Sequence, residues 1–248
     1  MDDVTRPDGA TYKTIFELSA RGARHEDTLG SRVAWRSAFG RVTATRYLQT
    51  PVQVATDFYV SLPRAKVWEE RGGRPGPPCE WDERKARFRC GPAWKSVRAM
   101  LAEVGYASRR CISAHPIDGA ARVIEFEDVD PGDRIVIYTG LVGYDPRYRA
   151  RRAVWEYARW RSGALPRDRP LAPIAAAPVT LSVELDGLAL GRLHHDIEDE
   201  SFKRAVLGVP GSGATLGKRR ARVRFTVSTR YAWSKNYCFY ARAERGRP

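Results

Sequence analysis

Strict alternation of apolar and polar side chains is the feature that most limits what this chain can become. Val179, Leu181, Val183 and Leu185 alternate with Thr180, Ser182 and Glu184 and run directly into Asp186-Gly187. A period of two puts one set of side chains on each face of an extended strand, which is the pattern of a half-buried strand. Asp-Gly accepts the positive φ angles of a two-residue type I′ turn, so the chain returns as a hairpin through Leu188–Arg192. Ala221, Val223, Phe225 and Val227 repeat the alternation against Arg220, Arg222 and Arg224. A third run sets Val52, Val54, Thr56, Phe58 and Val60 against Gln53, Ala55, Asp57 and Tyr59. Further strand signals fall at Arg32–Phe39, Val42–Leu48, Arg122–Phe126, Arg134–Leu141 and Tyr237–Ala243.

Many short strands separated by turn residues predict a mainly β protein, an antiparallel β-sandwich of jelly-roll-like form with one or two short helices. The expected core holds Val52, Val54, Phe58, Val179, Leu181, Val183, Val223, Phe225 and Val227. The first helix is expected over Pro92–Val104, where Trp94, Val97, Leu101 and Val104 recur at spacings of three and four; the second is expected over Tyr12–Ala20. Gly72–Pro78 is expected to be a loop. A chain of 248 residues fits one β domain over 1–248, with a loop or linker insertion around 144–178.

The formal net charge is +14, and only seven of the 43 basic residues are lysine. Two origins stand: an arginine-rich composition with no functional meaning, or a site for a polyanion. No apolar run is long enough to span a membrane as a helix, and Met1-Asp2-Asp3-Val4 lacks the basic and apolar regions of a secretory signal. Cys79, Cys90, Cys111 and Cys238 contain no Cys-x-x-Cys pair, and the histidines lack zinc-finger spacing, so no metal site is expected. The expected disulfides are Cys79–Cys90, which brackets a short polar segment, and Cys111–Cys238, which joins two strand-like surroundings; four buried thiols are the alternative. Bridged cysteines place the protein outside the cytoplasm, in the periplasm or secreted, and reduced ones place it in the cytoplasm.

Five places in the chain are weighed for function. Arg147–Arg161 interleaves six arginines with Tyr148, Trp155, Tyr157 and Trp160. That mixture suits ligand binding, by stacking on sugar faces or bases and clamping phosphates; it equally suits a basic helix that caps a sandwich. Arg220, Arg222 and Arg224 share one strand face, either as an open anion-binding stripe or paired with carboxylates such as Glu184. His194-His195 and the acidic residues after them are expected to form a solvated loop, with no His-Glu-x-x-His spacing. Gly208–Arg219 fails the phosphate-loop frame, since Leu216 stands where its second glycine belongs. His115 stands beside a turn with no nucleophile motif near it. No cofactor is expected, and an enzyme is the less favoured class.

From Pro178 to Ala243, the strand ending Glu184-Leu185-Asp186-Gly187, its return strand, the acidic connection and Arg222–Val227 resemble the closing half of a galactose-binding-like jelly-roll carbohydrate-binding module. The resemblance covers about a quarter of the chain and carries over no ligand residue. It implies a non-catalytic, extracytoplasmic domain whose partner is a glycan or another cell-envelope component. The alternative partner is a polyanion or nucleic acid, met by the arginine-rich stretches. Oligomeric state is left open.

Overall fold

Pairing between distant stretches gathers the strands into three antiparallel sheets in the computed structural model, which describes residues 3–5, 11–20, 32–40, 42–48, 53–104, 107–142, 178–196, 199, 201–211, 220–230, 232 and 235–245. In chain order the strands begin with β1 (Asp3–Thr5), β2 (Thr11–Ala20), β3 (Arg32–Phe39), β4 (Val42–Leu48), β5 (Gln53–Asp57) and β6 (Lys66–Arg71). They continue with β7 (Arg74–Pro78), β8 (Glu80–Asp82), β9 (Arg87–Arg89), β10 (Val97–Val104), β11 (Ala107–Ala114) and β12 (Ala121–Val129). The last six are β13 (Arg134–Leu141), β14 (Val179–Leu185), β15 (Leu188–His195), β16 (Lys203–Gly208), β17 (Ala221–Thr229) and β18 (Tyr237–Arg245).

The first four strands form one sheet in the order β1-β2-β4-β3. A six-stranded sheet runs β15-β14-β17-β12-β6-β7, and an eight-stranded sheet runs β16-β13-β18-β11-β10-β9-β8 with β5 also on β18. The six- and eight-stranded sheets face each other across a common core, so the fold is the expected antiparallel sandwich. Val179, Leu181, Val183, Val223, Phe225 and Val227 are all fully buried in it. Burying each such side chain stabilises the fold by about 1.5–3 kcal/mol. The hairpin also stands where expected: Leu185 pairs with Leu188, and Asp186 and Gly187 take φ +51° and +87°. At the centre, the Phe58 ring meets Phe126 and Phe225 edge-on, each at 5.0 Å between centroids.

Several expectations are corrected. Pro92–Val104 is not a helix: a single 3-10 turn at Ala93–Lys95 leads into β10, which pairs with β11 from Val97↔Ala114 to Val104↔Ala107. The helical spacing arose because the apolar residues of β10 are divided between its two faces, with Leu101 left 68% exposed. Val97 enters the main core, while Ala102 and Val104 join a second cluster on the outer face with Cys111, Val136, Tyr138, Phe202 and Cys238. Apolar residues shared between two faces break the period of two and can then fall at helical intervals. Tyr12–Ala20 lies in β2, hydrogen-bonded between β1 and β4. Among the described residues only 3-10 turns interrupt the strands, and no helix is long and apolar enough to cross a membrane.

Val54 is 45% exposed and Val60 is 65% exposed, so neither joins Phe58 in the core; Val52 lies outside the described residues. β5 covers only five residues before the chain turns, and its register on β18 shifts at Ala243/Glu244. A displaced register moves side chains off the face that alternation assigns them. Gly72–Pro78 is a turn and a strand, not a loop. Gly72 and Gly73, with φ +56° and +75°, reverse the chain so that Arg71 pairs with Arg74. β7 then forms the edge of its sheet, where prolines are tolerated because an edge strand leaves donor positions unused.

Candidate functional site

The cysteines divide into two pairs. Cys79 and Cys90 are bonded, which ties the start of β8 to the end of β9. Cys111 and Cys238 are free and buried, against the expectation of a second bridge. The register explains the difference. Cys238 lies opposite Ser113, two residues from Cys111, so the thiols are diagonal neighbours on one sheet face. Contact with the Cys111 thiol, then burial, pushes the Cys238 thiol far above its ordinary range. The two strands that carry them, β11 and β18, are joined by backbone pairing instead.

The Arg220, Arg222, Arg224 stripe is closed. Arg224 donates from Nε to Glu125 at 2.9 Å and lies 3.9 Å from Glu184, while its guanidinium covers the Trp68 ring at 5.5 Å. Arg222 is 3.9 Å from Glu125, and Arg220 is 3.7 Å from Asp128 and donates to its carbonyl at 2.7 Å. Each guanidinium therefore has a carboxylate within reach, and the face pairs internally. The physical cause is β12: its residues Glu125 and Asp128 sit beside β17 in the ladder. Tyr148, Trp155, Tyr157 and Trp160 lie outside the described residues, as does most of the Gly208–Arg219 segment.

His195 departs from the expected solvated loop. It ends β15 with 1% exposure, and its Nδ1 lies 3.2 Å from Thr139 Oγ1. Burial holds its pKa below the usual imidazole value, against the attraction of Asp199. His194 stays at the surface beside Thr180, and Lys203 gathers Asp199 at 2.6 Å and Asp196 at 3.9 Å. No group of three metal-ligating side chains occurs among the described residues.

A charge arrangement that sequence reading missed lies at one end of the sandwich. Arg122 of β12 points between the sheets on the same face as Ile124 and Phe126, and it is fully buried. Its Nη2 donates to the Lys95 carbonyl at 3.0 Å and to Glu69 Oε1 at 3.4 Å, and Nη1 approaches Cys79 Sγ at 3.6 Å. Its Nε has no hydrogen-bond partner among the described residues. Burial pulls the Arg122 pKa down to about 10, against the attraction of Glu69, so the guanidinium is charged at neutral pH. Glu69 is its direct cross-strand neighbour on β6. The same carboxylate also lies 3.4 Å from Lys95 Nζ and 3.8 Å from Arg71.

Above this network opens a cleft of about 490 Å³ between β7 and the disulfide-tied β8–β9 hairpin. Arg71, Arg74, Arg89 and Lys95 reach it, and Pro77, Pro78 and the disulfide supply apolar wall. Arg89 is matched by Glu80 at 3.1 Å and Asp82 at 4.0 Å. Arg74 forms no ion pair among the described residues. Gly76 is required where β7 closes on β6, since a Cβ there would stand 2.9 Å from the Glu69 carbonyl oxygen. Trp94 does not line the cleft but stands next to its lining residue Lys95, whose Nζ is 5.4 Å from the indole centroid; it is 56% exposed and meets His115 edge-on at 5.3 Å. The signals were present as Glu69, Arg122, Trp94 and the Pro/Gly run, but nothing local in the sequence joins them.

No family model matches this chain, and no curated protein matches it. Solved structures similar to it include the CBM51-2 and INT domains of Clostridium perfringens ZmpB, at 11% identity and TM-score 0.37, covering 98% of this chain and 43% of that one. The CBM51-2 and INT structure of the same protein in complex with GlcNAc aligns at 13% identity and TM-score 0.38, covering 94% and 48%. The secreted serine protease VesC from Vibrio cholerae aligns at 10% identity and TM-score 0.31, covering 92% and 42%. This chain thus spans less than half the length of each. Similarity at this level leaves the function to be argued from the chain's own residues.

Proposed function

We propose that this chain is a non-catalytic, extracytoplasmic binding domain for a glycan or another cell-envelope component, a single jelly-roll-like unit over 1–248 with an insertion around 144–178. The observation that carries the reading is the disulfide-edged cleft with the exposed Trp94 beside its lining residue Lys95. A recognition site needs a concave surface, a few converging polar groups and an apolar platform, and the cleft together with the neighbouring Trp94 supplies all three. An exposed indole costs solvation unless something covers it, and the flat C–H face of a sugar ring is a matching cover. The Cys79–Cys90 bond supports an oxidising compartment. The aromatic segment with Tyr148, Trp155, Tyr157 and Trp160 is retained as a second contact region.

A glycan array probed with the folded, oxidised protein tests the reading. Binding is expected for a restricted set of glycans and is expected to fall at least about tenfold in Trp94→Ala. An array without hits, from protein shown to be folded, overturns it. The competing polyanion reading is favoured by the net charge of +14. It predicts affinity that drops steeply with salt concentration whatever the polymer's chemistry.

A further inference from the structure

We infer that the cleft beside the disulfide selects saccharides carrying an acidic group, seating that group on Arg71, Arg74 and Lys95 while a neighbouring ring lies on Trp94. The inference rests on the binding-domain reading and adds the ligand's chemistry.

The argument is one of charge balance. Arg122, Lys95 and Arg71 all lie within 4 Å of Glu69, and Arg122 and Lys95 share a single oxygen, Oε1. One carboxylate therefore serves three cations. Arg122 is fully buried and takes the innermost position, so Glu69 is committed to it. Lys95 and Arg71 are left with only part of a counterion, and Arg74 joins them with none among the described residues. Like charges held this close repel one another, and a second carboxylate, supplied from outside, is the group that relieves them. A neutral sugar leaves the repulsion in place.

Position then separates an acidic sugar from a simple polyanion. Lys95 Nζ is 3.4 Å from Glu69 and 5.4 Å from the Trp94 centroid, so the charged floor and the neighbouring indole meet at one side chain. A ring stacked on Trp94 thus carries its acidic substituent toward the unbalanced cations. A volume of about 490 Å³ suits one or two sugar rings and not an extended strand. A nucleic acid needs a basic track along its backbone. The arginine face of β17, of which an open anion-binding stripe was one of two readings, is consumed by Glu125, Glu184 and Asp128.

The test is calorimetric titration of the full oxidised chain with tetramers of galacturonate, glucuronate and mannuronate, each beside its neutral methyl ester. A κ-carrageenan tetrasaccharide, acidic through sulfate alone, and a polyphosphate of equal charge complete the panel. At least one acid is expected to bind about tenfold or more above its ester, the effect of gaining a charge-assisted hydrogen bond. Arg74→Gln, at an exposed position, should bring that acid down toward its ester and leave the ester unmoved, while Trp94→Ala should weaken both. Carrageenan bound in the same manner identifies sulfate as a further acidic group for the site. Equal binding of acid and ester overturns the acid selectivity while the glycan reading stands. Polyphosphate bound as tightly as any saccharide, with no loss in Trp94→Ala, overturns it in favour of a charge sink. No binding anywhere in the panel overturns it as well, and array hits then decide the broader reading by themselves.

Discussion

On β17, Arg220, Arg222 and Arg224 are balanced by Asp128, Glu125 and Glu184, whereas at the cleft Arg71, Lys95 and Arg122 converge, among the described residues, on the one carboxylate of Glu69. Both regions are rich in cations, and in the sequence the first is the more conspicuous. The difference lies in the strand that pairs beside each. β12 brings Glu125 and Asp128 against β17, but presents a further cation, Arg122, to Glu69 of β6. A run of arginines says little about binding; the number of carboxylates its neighbours bring within reach says much more.

Removing the central carboxylate from each region breaks the comparison most directly. Glu69→Ala leaves Arg122 charged and buried with only a carbonyl and a sulfur for company, which should cost about 3–5 kcal/mol in denaturant unfolding. Adding Arg122→Met to Glu69→Ala should restore much of that loss, since the stranded charge disappears. If Glu69→Ala unfolds at the wild-type denaturant midpoint, the buried pair is not the structural floor of the cleft. Cys79→Ser with Cys90→Ser opens a short loop and should cost about 3 kcal/mol by the chain-entropy account. That variant should lose cleft binding while the circular-dichroism signature of the sheets persists. Glu125→Ala should cost only about 1–2 kcal/mol, because Arg222 and Arg224 retain access to water. Smallest of all, Arg220→Gln at its exposed site should change stability by less than about 0.5 kcal/mol. Equal losses from Glu69→Ala and Glu125→Ala would erase the distinction between the two regions.

The readable parts of the fold were those with one wet face and one dry face. β14 alternates without fault, and its Asp186-Gly187 turn carries its own conformational signature. The misread parts depended on partners far along the chain. Val97–Val104 looked helical because its apolar residues are shared between two faces: Val97 packs inward, Val104 packs outward and Leu101 stays exposed. Val54 looked like core, but its strand is short and sits on a shifted register. The charged site was illegible for the same reason: Glu69 and Arg122 lie 53 residues apart, and only the β6–β12 register makes them neighbours. The disulfide that borders the cleft was readable, since Cys79 and Cys90 are 11 residues apart around a polar turn.

The proline-rich strand β7 has a consequence for self-association. It is the last strand of its sheet, and Pro75, Pro77 and Pro78 have no amide hydrogen to offer an approaching chain. An open sheet margin ordinarily acts as a template on which another molecule adds a strand, the first step toward fibrils. Here three of five successive residues deny that template its donors, and Arg74 adds charge at the strand's start. The margin that walls the cleft thereby offers a poor template for strand addition, so the cleft can stay open without recruiting copies of its own chain.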